Sequence, residues 1–287
     1  MRIDRLLNLS PHGFHRVAYT DWGDPANPHV VVCAHGLTRN CRDFDALASE
    51  LAVHCRVICP DAPGRGMSDW LARPEDYSYP VYLSAMAALI ARLTATSRAA
   101  DGATRIDWVG TSMGGYIGML LAAQPNAPIA RLVLNDVSPL VPKAVIERIG
   151  TYVGKDPRFD SIEKLEGYVR LVSVGFGTLT DAQWRHLTVH GAKQHADGRW
   201  GMCYDPAIAA AFAGPYQDID LWPMYDAVRC PTLVLRGAQS DMLLADVAAQ
   251  MTRRGPRARL VEFAGVGHAP MLMEPDQIGA VRDFLLS

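Results

Sequence analysis

The chain has 287 residues, 49% of them hydrophobic and 20% charged, ordinary values for a globular protein with one large core or a core carrying an insertion. A formal net charge of −2 argues against a polyanion-binding surface, so nucleic acid is not an expected partner. No apolar run reaches about 18 residues and residues 1–13 hold no signal-peptide core, so neither a membrane partner nor export is expected and the chain reads as cytoplasmic.

In chain order, residues 15–21 alternate and suggest an early strand of a hairpin. Residues 30–34 form a continuous apolar run, the pattern of a strand buried on both faces. A helical period covers 42–52, and a short strand at 56–59 stops at Pro60 and the turn-rich 61–66. A long Ala/Leu-rich helix follows at 79–94. Then come a strand at 105–110, a helix at 113–123 ended by Gln124-Pro125, and a strand at 131–137. Near the end of the chain, strands at 231–237 and 259–263 flank a helix at 246–253, and a helix at 276–286 closes it. Strands alternating with helices imply an α/β fold with a mostly parallel sheet covered on both faces. Right-handed crossovers then place the functional loops at the carboxyl ends of the strands.

One stretch breaks this alternation. Between residues 138 and 229 no convincing buried strand occurs, and helical patterns run through 144–153, 162–174, 181–191 and 206–212. This is far more chain than one crossover needs. It reads as a helical cap, 139–229, inserted into a core formed by 1–138 and 230–287. The six cysteines, Cys33, Cys41, Cys55, Cys59, Cys203 and Cys230, form no C-x-x-C pair and no zinc spacing. They read as small reduced residues, and a Cys41–Cys55 bridge has no support.

Residues Gly110-Thr111-Ser112-Met113-Gly114 match G-x-S-x-G between a predicted strand and a predicted helix. In that setting a sharp turn lifts the serine off the sheet in a strained conformation, and the following helix aims its N-terminal N–H groups at the site. Glycines on either side let strand and helix approach closely.

With this motif the chain resembles the α/β-hydrolase family, serine-nucleophile branch. Four further segments carry the resemblance: Cys33-Ala34-His35-Gly36-Leu37, the run from Asp61 to Ser68, the run from Arg236 to Asp241, and Gly265-Val266-Gly267-His268-Ala269-Pro270. The resemblance implies an α/β-hydrolase fold and an oxyanion hole formed by the backbone N–H groups of Leu37 and Met113. His35 reads as a brace of its loop rather than the base, with a place near substrate left open. Asp61 and Ser68 read as turn-forming.

The order Ser112, Asp241, His268 is the order this fold uses for its triad. A serine hydroxyl needs a neighbouring base, and histidine titrates near neutrality. Among nine histidines, His268 follows the last strand in a glycine-rich loop that can reach the strand ends. His12, His15, His29 and His54 are expected at the surface, and His186, His190 and His195 in the cap. Asp241 is expected to orient His268, with Asp136, after another strand, as the competing carboxylate.

The expected reaction is cleavage of a small or medium carboxylic ester through an acyl-enzyme, with no metal or organic cofactor required. The same constellation suits enol-lactone and C–C hydrolases. A slow-turnover receptor-like binding protein is the alternative of another class. A small-molecule ester or lactone is thus the expected partner, and oligomeric state is open. Trp184, Tyr204 and Phe176 are candidates to line the pocket, although aromatics in a helical insertion more often form its own core. Trp200, Phe212 and Trp222 share that ambiguity. Arg185, Lys193 and Arg199 read as a solvated face that could pair with a substrate carboxylate.

Overall fold

A computed structural model describes residues 1–96 and 104–287. Its strands are β1 (Arg2–Ser10), β2 (Gly13–Trp22), β3 (His29–Ala34), β4 (Arg56–Pro60), β5 (Arg105–Thr111), β6 (Ile129–Asn135), β7 (Leu140–Val141), β8 (Ala192–Gln194), β9 (Trp200–Met202), β10 (Ile219–Asp220), β11 (Thr232–Gly237) and β12 (Arg259–Phe263). The α-helices are α1 (Asp45–Leu51), α2 (Tyr79–Thr96), α3 (Met113–Ala122), α4 (Lys143–Tyr152), α5 (Ile162–Val172), α6 (Asp181–Gly191), α7 (Trp222–Ala227), α8 (Ala245–Met251) and α9 (Pro275–Leu286).

Eight strands form one sheet in the order β1-β2-β4-β3-β5-β6-β11-β12. The β1–β2 and β2–β4 pairs are antiparallel, and the remaining pairs are parallel. The predicted hairpin gains a full partner in β1. Its outer residues Ile3, Leu7 and Leu9 are exposed, so β1 lacks the apolar signature of a core strand.

The apolar runs behave as strands covered on both sides should. Along β3, Val30, Val32 and Ala34 enter the core layer shared with α2, α3 and α8, while Val31 and Cys33 enter the layer shared with α1 and α9. The same division holds in β6, with Leu132 and Leu134 on one face and Val133 on the other. Period-two burial on two faces is what makes these strands read as unbroken apolar runs.

The segment between β6 and β11 holds α4 to α7, the short pairs β7–β10 and β8–β9, and a 3-10 helix at Pro206–Phe212 where a regular helical period was expected. Leu165, Val169, Trp184 and Leu187 form a small core with Met271 of the loop after β12. Two backbone bonds fasten this segment to the turn after β4, Gly66 N–H to Cys203 C=O (3.0 Å) and Asp205 N–H to Gly64 C=O (2.8 Å), and Cys203 N–H to Gly191 C=O (2.8 Å) ties residues 203–205 to α6. All six cysteines are free thiols. Among the described residues no helix is long and apolar enough to cross a membrane.

Candidate active site

Ser112 stands between β5 and α3 with φ 50° and ψ −117°, a left-handed conformation unusual for a residue with a Cβ. The turn is tight enough to require glycine on both sides. A Cβ on Gly110 would stand 2.3 Å from Gly114 O, and one on Gly114 2.0 Å from Ala34 O. The Trp108 indole N–H donates to Gly114 C=O at 3.0 Å and pins the first turn of α3 to the sheet.

The loop after β12 brings His268 to this turn. Ser112 Oγ donates to His268 Nε2 at 3.0 Å, and His268 Nδ1–H donates to Asp136 Oδ2 at 3.1 Å. A hydroxyl, an imidazole and a carboxylate thus lie in one hydrogen-bonded line, although residues 112, 136 and 268 are far apart in sequence. Three hydrogen bonds absent from the sequence reading secure the loop and the strand ends beneath it. The Asn135 side-chain amide donates to Pro270 C=O (2.7 Å) and to Thr111 Oγ1 (2.9 Å), and Gly267 N–H donates to Gly175 C=O (2.7 Å). For the two Asn135 bonds, an asparagine at a strand end was the only signal.

The carboxylate facing His268 is Asp136, and Asp241 is not brought to the site. Asp241 is exposed and pairs with Arg148 of α4. The cause is steric. The loop carrying His268 lies across the end of β11 so closely that a Cβ on Gly237 would stand 2.1 Å from Gly267 O. Gln239 N–H donates to Val266 C=O at 2.8 Å, which turns residues 238–241 outward. The imidazole therefore reaches past β11 to the end of β6. There Asp136 adopts φ 56° and its N–H donates to Leu235 C=O at 2.8 Å. Asp136 is fully buried. Burial holds its carboxyl above the usual range, and His268, Ser240 and Arg236 pull the other way.

Around the turn, Gly114 N–H donates to His35 C=O (3.1 Å), and Gly115 and Tyr116 N–H to Ser112 C=O (2.9 and 3.0 Å). The N–H of Met113, first in the helix, is left without an acceptor among the described residues. Leu37 lies on the adjoining turn after β3, whose Gly36 is packed beside Ser112 Cβ. Against both turns sits Arg65, fully buried: its Nε donates to Leu37 C=O at 2.9 Å, Nη1 to Pro63 C=O at 2.6 Å and Tyr82 Oη at 2.9 Å, and Nη2 to Met113 Sδ at 3.6 Å.

His35 is a buried brace of its loop. Its Nε2 accepts from Ala62 N–H at 3.0 Å, so Nδ1 carries the proton and donates to Gly36 C=O at 2.7 Å. Burial pushes its pKa down to about 4, which keeps it neutral. Trp184 packs into the small core of the 139–229 segment, stacked on Phe176 with ring centres 6.2 Å apart. Tyr204 is buried and donates to Lys155 C=O at 3.1 Å. Of the three aromatic candidates, Phe176 comes nearest the chemistry, because its neighbour Gly175 rests on the His268 backbone. Arg185 pairs with Glu163 and Glu166, Arg199 with Asp197, and Lys193 lies over Trp70. His15 is buried rather than at the surface, because it alternates inward between exposed Phe14 and Arg16 in β2.

Donor atoms of Asp45, His186 and His190 lie within 4.8 Å of one another. The Arg42 guanidinium already neutralises Asp45 and donates to His190 Nδ1 at 3.3 Å, while His186 Nε2–H donates to Arg42 C=O at 2.9 Å. This cluster is a polar latch between α6 and the turn before α1, and its arginine opposes a cation.

A model of the alpha/beta hydrolase family matches residues 31–281. The chain belongs to the alpha/beta hydrolase family. The hydrolase is 46% identical over 285 residues to the 3-hydroxybutyrate-oligomer hydrolase of Cupriavidus necator, covering 96% of this chain and 94% of that one. An esterase of Mycobacterium tuberculosis is 26% identical over 253 residues, covering 85% of this chain and 78% of its own. Among solved structures, an alpha/beta hydrolase from Novosphingobium aromaticivorans superposes with a TM-score of 0.85 at 37% identity, covering 99% of this chain and 98% of that one.

Proposed function

We propose that this hydrolase cleaves the ester bonds of short hydroxyacid oligomers of the 3-hydroxybutyrate kind, with Ser112 as nucleophile, His268 as base and Asp136 as the carboxylate that orients it. The single observation that carries the reading is the hydrogen-bonded line from Ser112 Oγ through His268 to Asp136. The substrate class rests on the 46% identity to the Cupriavidus enzyme over nearly the whole of both chains.

The chemistry follows from the roles. Ser112 Oγ attacks the ester carbonyl carbon as its proton passes to His268 Nε2. The tetrahedral oxyanion is received by the N–H groups of Leu37 and Met113, whose turns Arg65 holds. The carbon–alkoxide bond breaks, and His268 returns the proton to the departing alcohol. Water then attacks the acyl-enzyme while His268 takes its proton; the acid leaves and the serine hydroxyl is restored. Asp136 keeps the Nδ1–H tautomer and stabilises the imidazolium. Residues 139–229 act as a cap over the strand ends and favour small or medium substrates over long polymers.

The test is monomer release from purified dimers and trimers of 3-hydroxybutyrate. Ser112→Ala is expected to lower kcat by at least about 10^4-fold and to abolish labelling by a serine-directed phosphonate. Near-wild-type turnover in that variant would remove the nucleophile assignment. Turnover of p-nitrophenyl esters with no release from the oligomers would remove the substrate class alone.

A further inference from the structure

Arg39 lies on the turn after β3, and its guanidinium is held along one edge by Asp43. Nε donates to Oδ2 at 2.8 Å and Nη2 to Oδ1 at 2.6 Å. This two-bond fork fixes the plane of the group and leaves Nη1 without a protein acceptor among the described residues. Nη1 stands 3.7 Å from where a Cβ on Gly191 would lie, and Cζ sits 5.9 Å from the centre of the Phe176 ring. Nearer the backbone, a Cβ on Gly36 would lie 3.7 Å from both Arg39 Cγ and Ser112 Cβ. The aliphatic part of Arg39 and the Ser112 side chain therefore both border Gly36.

Three elements meet around this guanidinium: the turn after β3, the short turn Val174–Phe176 bonded to the His268 loop, and the carboxyl end of α6. Only 11% of the side chain is exposed, so water screens little of its charge. Pinning the turn would explain the edge that faces Asp43. It does not explain why the Nη1 edge of a nearly buried guanidinium is left without a partner among the described residues.

We infer that Arg39 receives, on its Nη1 edge, the carboxylate of an acidic ester, and that the enzyme selects esters whose departing alcohol bears that carboxylate. This rests on the oligomer-ester reading above. The last unit of a hydroxybutyrate oligomer ends in a carboxylate only a short carbon link from the ester oxygen. Asp43 orients the guanidinium before substrate arrives, so little freedom is lost on binding.

The experiment compares acetate release from 3-acetoxybutyrate and from its primary amide, which share one scissile ester and differ only in charge. Wild-type kcat/KM is expected to favour the acid by on the order of tenfold or more, the scale of one charge-assisted bond pair. Arg39→Met is expected to bring the acid-to-amide ratio to about one, and Arg39→Lys to leave it between the two. Circular dichroism and unfolding curves check that the variants fold. A ratio unchanged in Arg39→Met overturns the role of Arg39 and leaves the oligomer-ester reading standing. A wild-type enzyme that turns over neither the acetoxy acid nor the oligomers overturns that reading and this inference with it. Should Arg39→Met fail to fold, the wild type decides. There 3-hydroxybutyrate is expected to inhibit about tenfold more tightly than 3-hydroxybutyramide, and equal inhibition overturns the inference.

Discussion

Strands β6 and β11 are hydrogen-bonded neighbours with apolar interiors, and each is followed within a few residues by an aspartate. Asp136 is fully buried, turned back by a left-handed backbone and bonded to His268. Asp241 is 56% exposed at its side chain and bonded to Arg148. Asp136 follows β6 directly and Asp241 lies four residues beyond β11, and the third loop lies over the end of β11 and delivers its imidazole to β6. A carboxylate's task here is set by what arrives beside it, not by its own turn.

The strongest way to break this comparison is to neutralise each aspartate in turn. Asp136→Asn keeps the shape but favours the wrong imidazole tautomer, and kcat is expected to fall by about 10^3–10^4-fold, measured on a p-nitrophenyl ester. Asp241→Asn is expected to stay within about threefold. If the ranking came out reversed, Asp241 would regain the role read from its motif and the line through Asp136 would lose its meaning.

Stability sharpens the contrast. Burial raises the carboxyl pKa of Asp136 in the folded state, so the native protein holds that proton more readily than the unfolded chain does. Its contribution is therefore most favourable at low pH and is lost as pH rises through the unfolded carboxylate range to the raised folded value. Asp136→Asn removes that loss. Relative to wild type, the variant should gain stability between acidic and neutral pH, read from denaturant unfolding at several pH values. A variant whose difference from wild type ignores pH would show that the carboxylate carries no burial penalty.

The smallest effect belongs to the exposed pair. Arg148→Met should cost between 0 and about 1 kcal/mol, since half-exposed ion pairs are screened by water and salt. A larger loss in thermal unfolding would mean that the Arg148–Asp241 contact anchors α4 to the core.

Much of this molecule was legible in its residues. The two-faced apolar runs, the G-x-S-x-G turn and the glycine-rich histidine loop are local signals, because period, glycine placement and strand–turn–helix order are properties of contiguous chain. They were sufficient for the parallel sheet and for Ser112 and His268 as partners. The hairpin strand β1 escaped because its buried positions, Asn8 and Ser10, are polar while the apolar Ile3, Leu7 and Leu9 are exposed. Asn135, Arg65 and Arg39 escaped because a polar residue in a loop does not reveal what it will touch.

From its sequence alone this protein declared its fold, its hydroxyl and its imidazole. Tertiary structure alone decided which carboxylate faces the imidazole. The reason is that Gly237 lets one loop lie flat across a strand end, and a Cβ missing at one position redirects an imidazole toward a partner 132 residues away. Contacts at that separation depend on how loops stack over the sheet, and no local pattern encodes them.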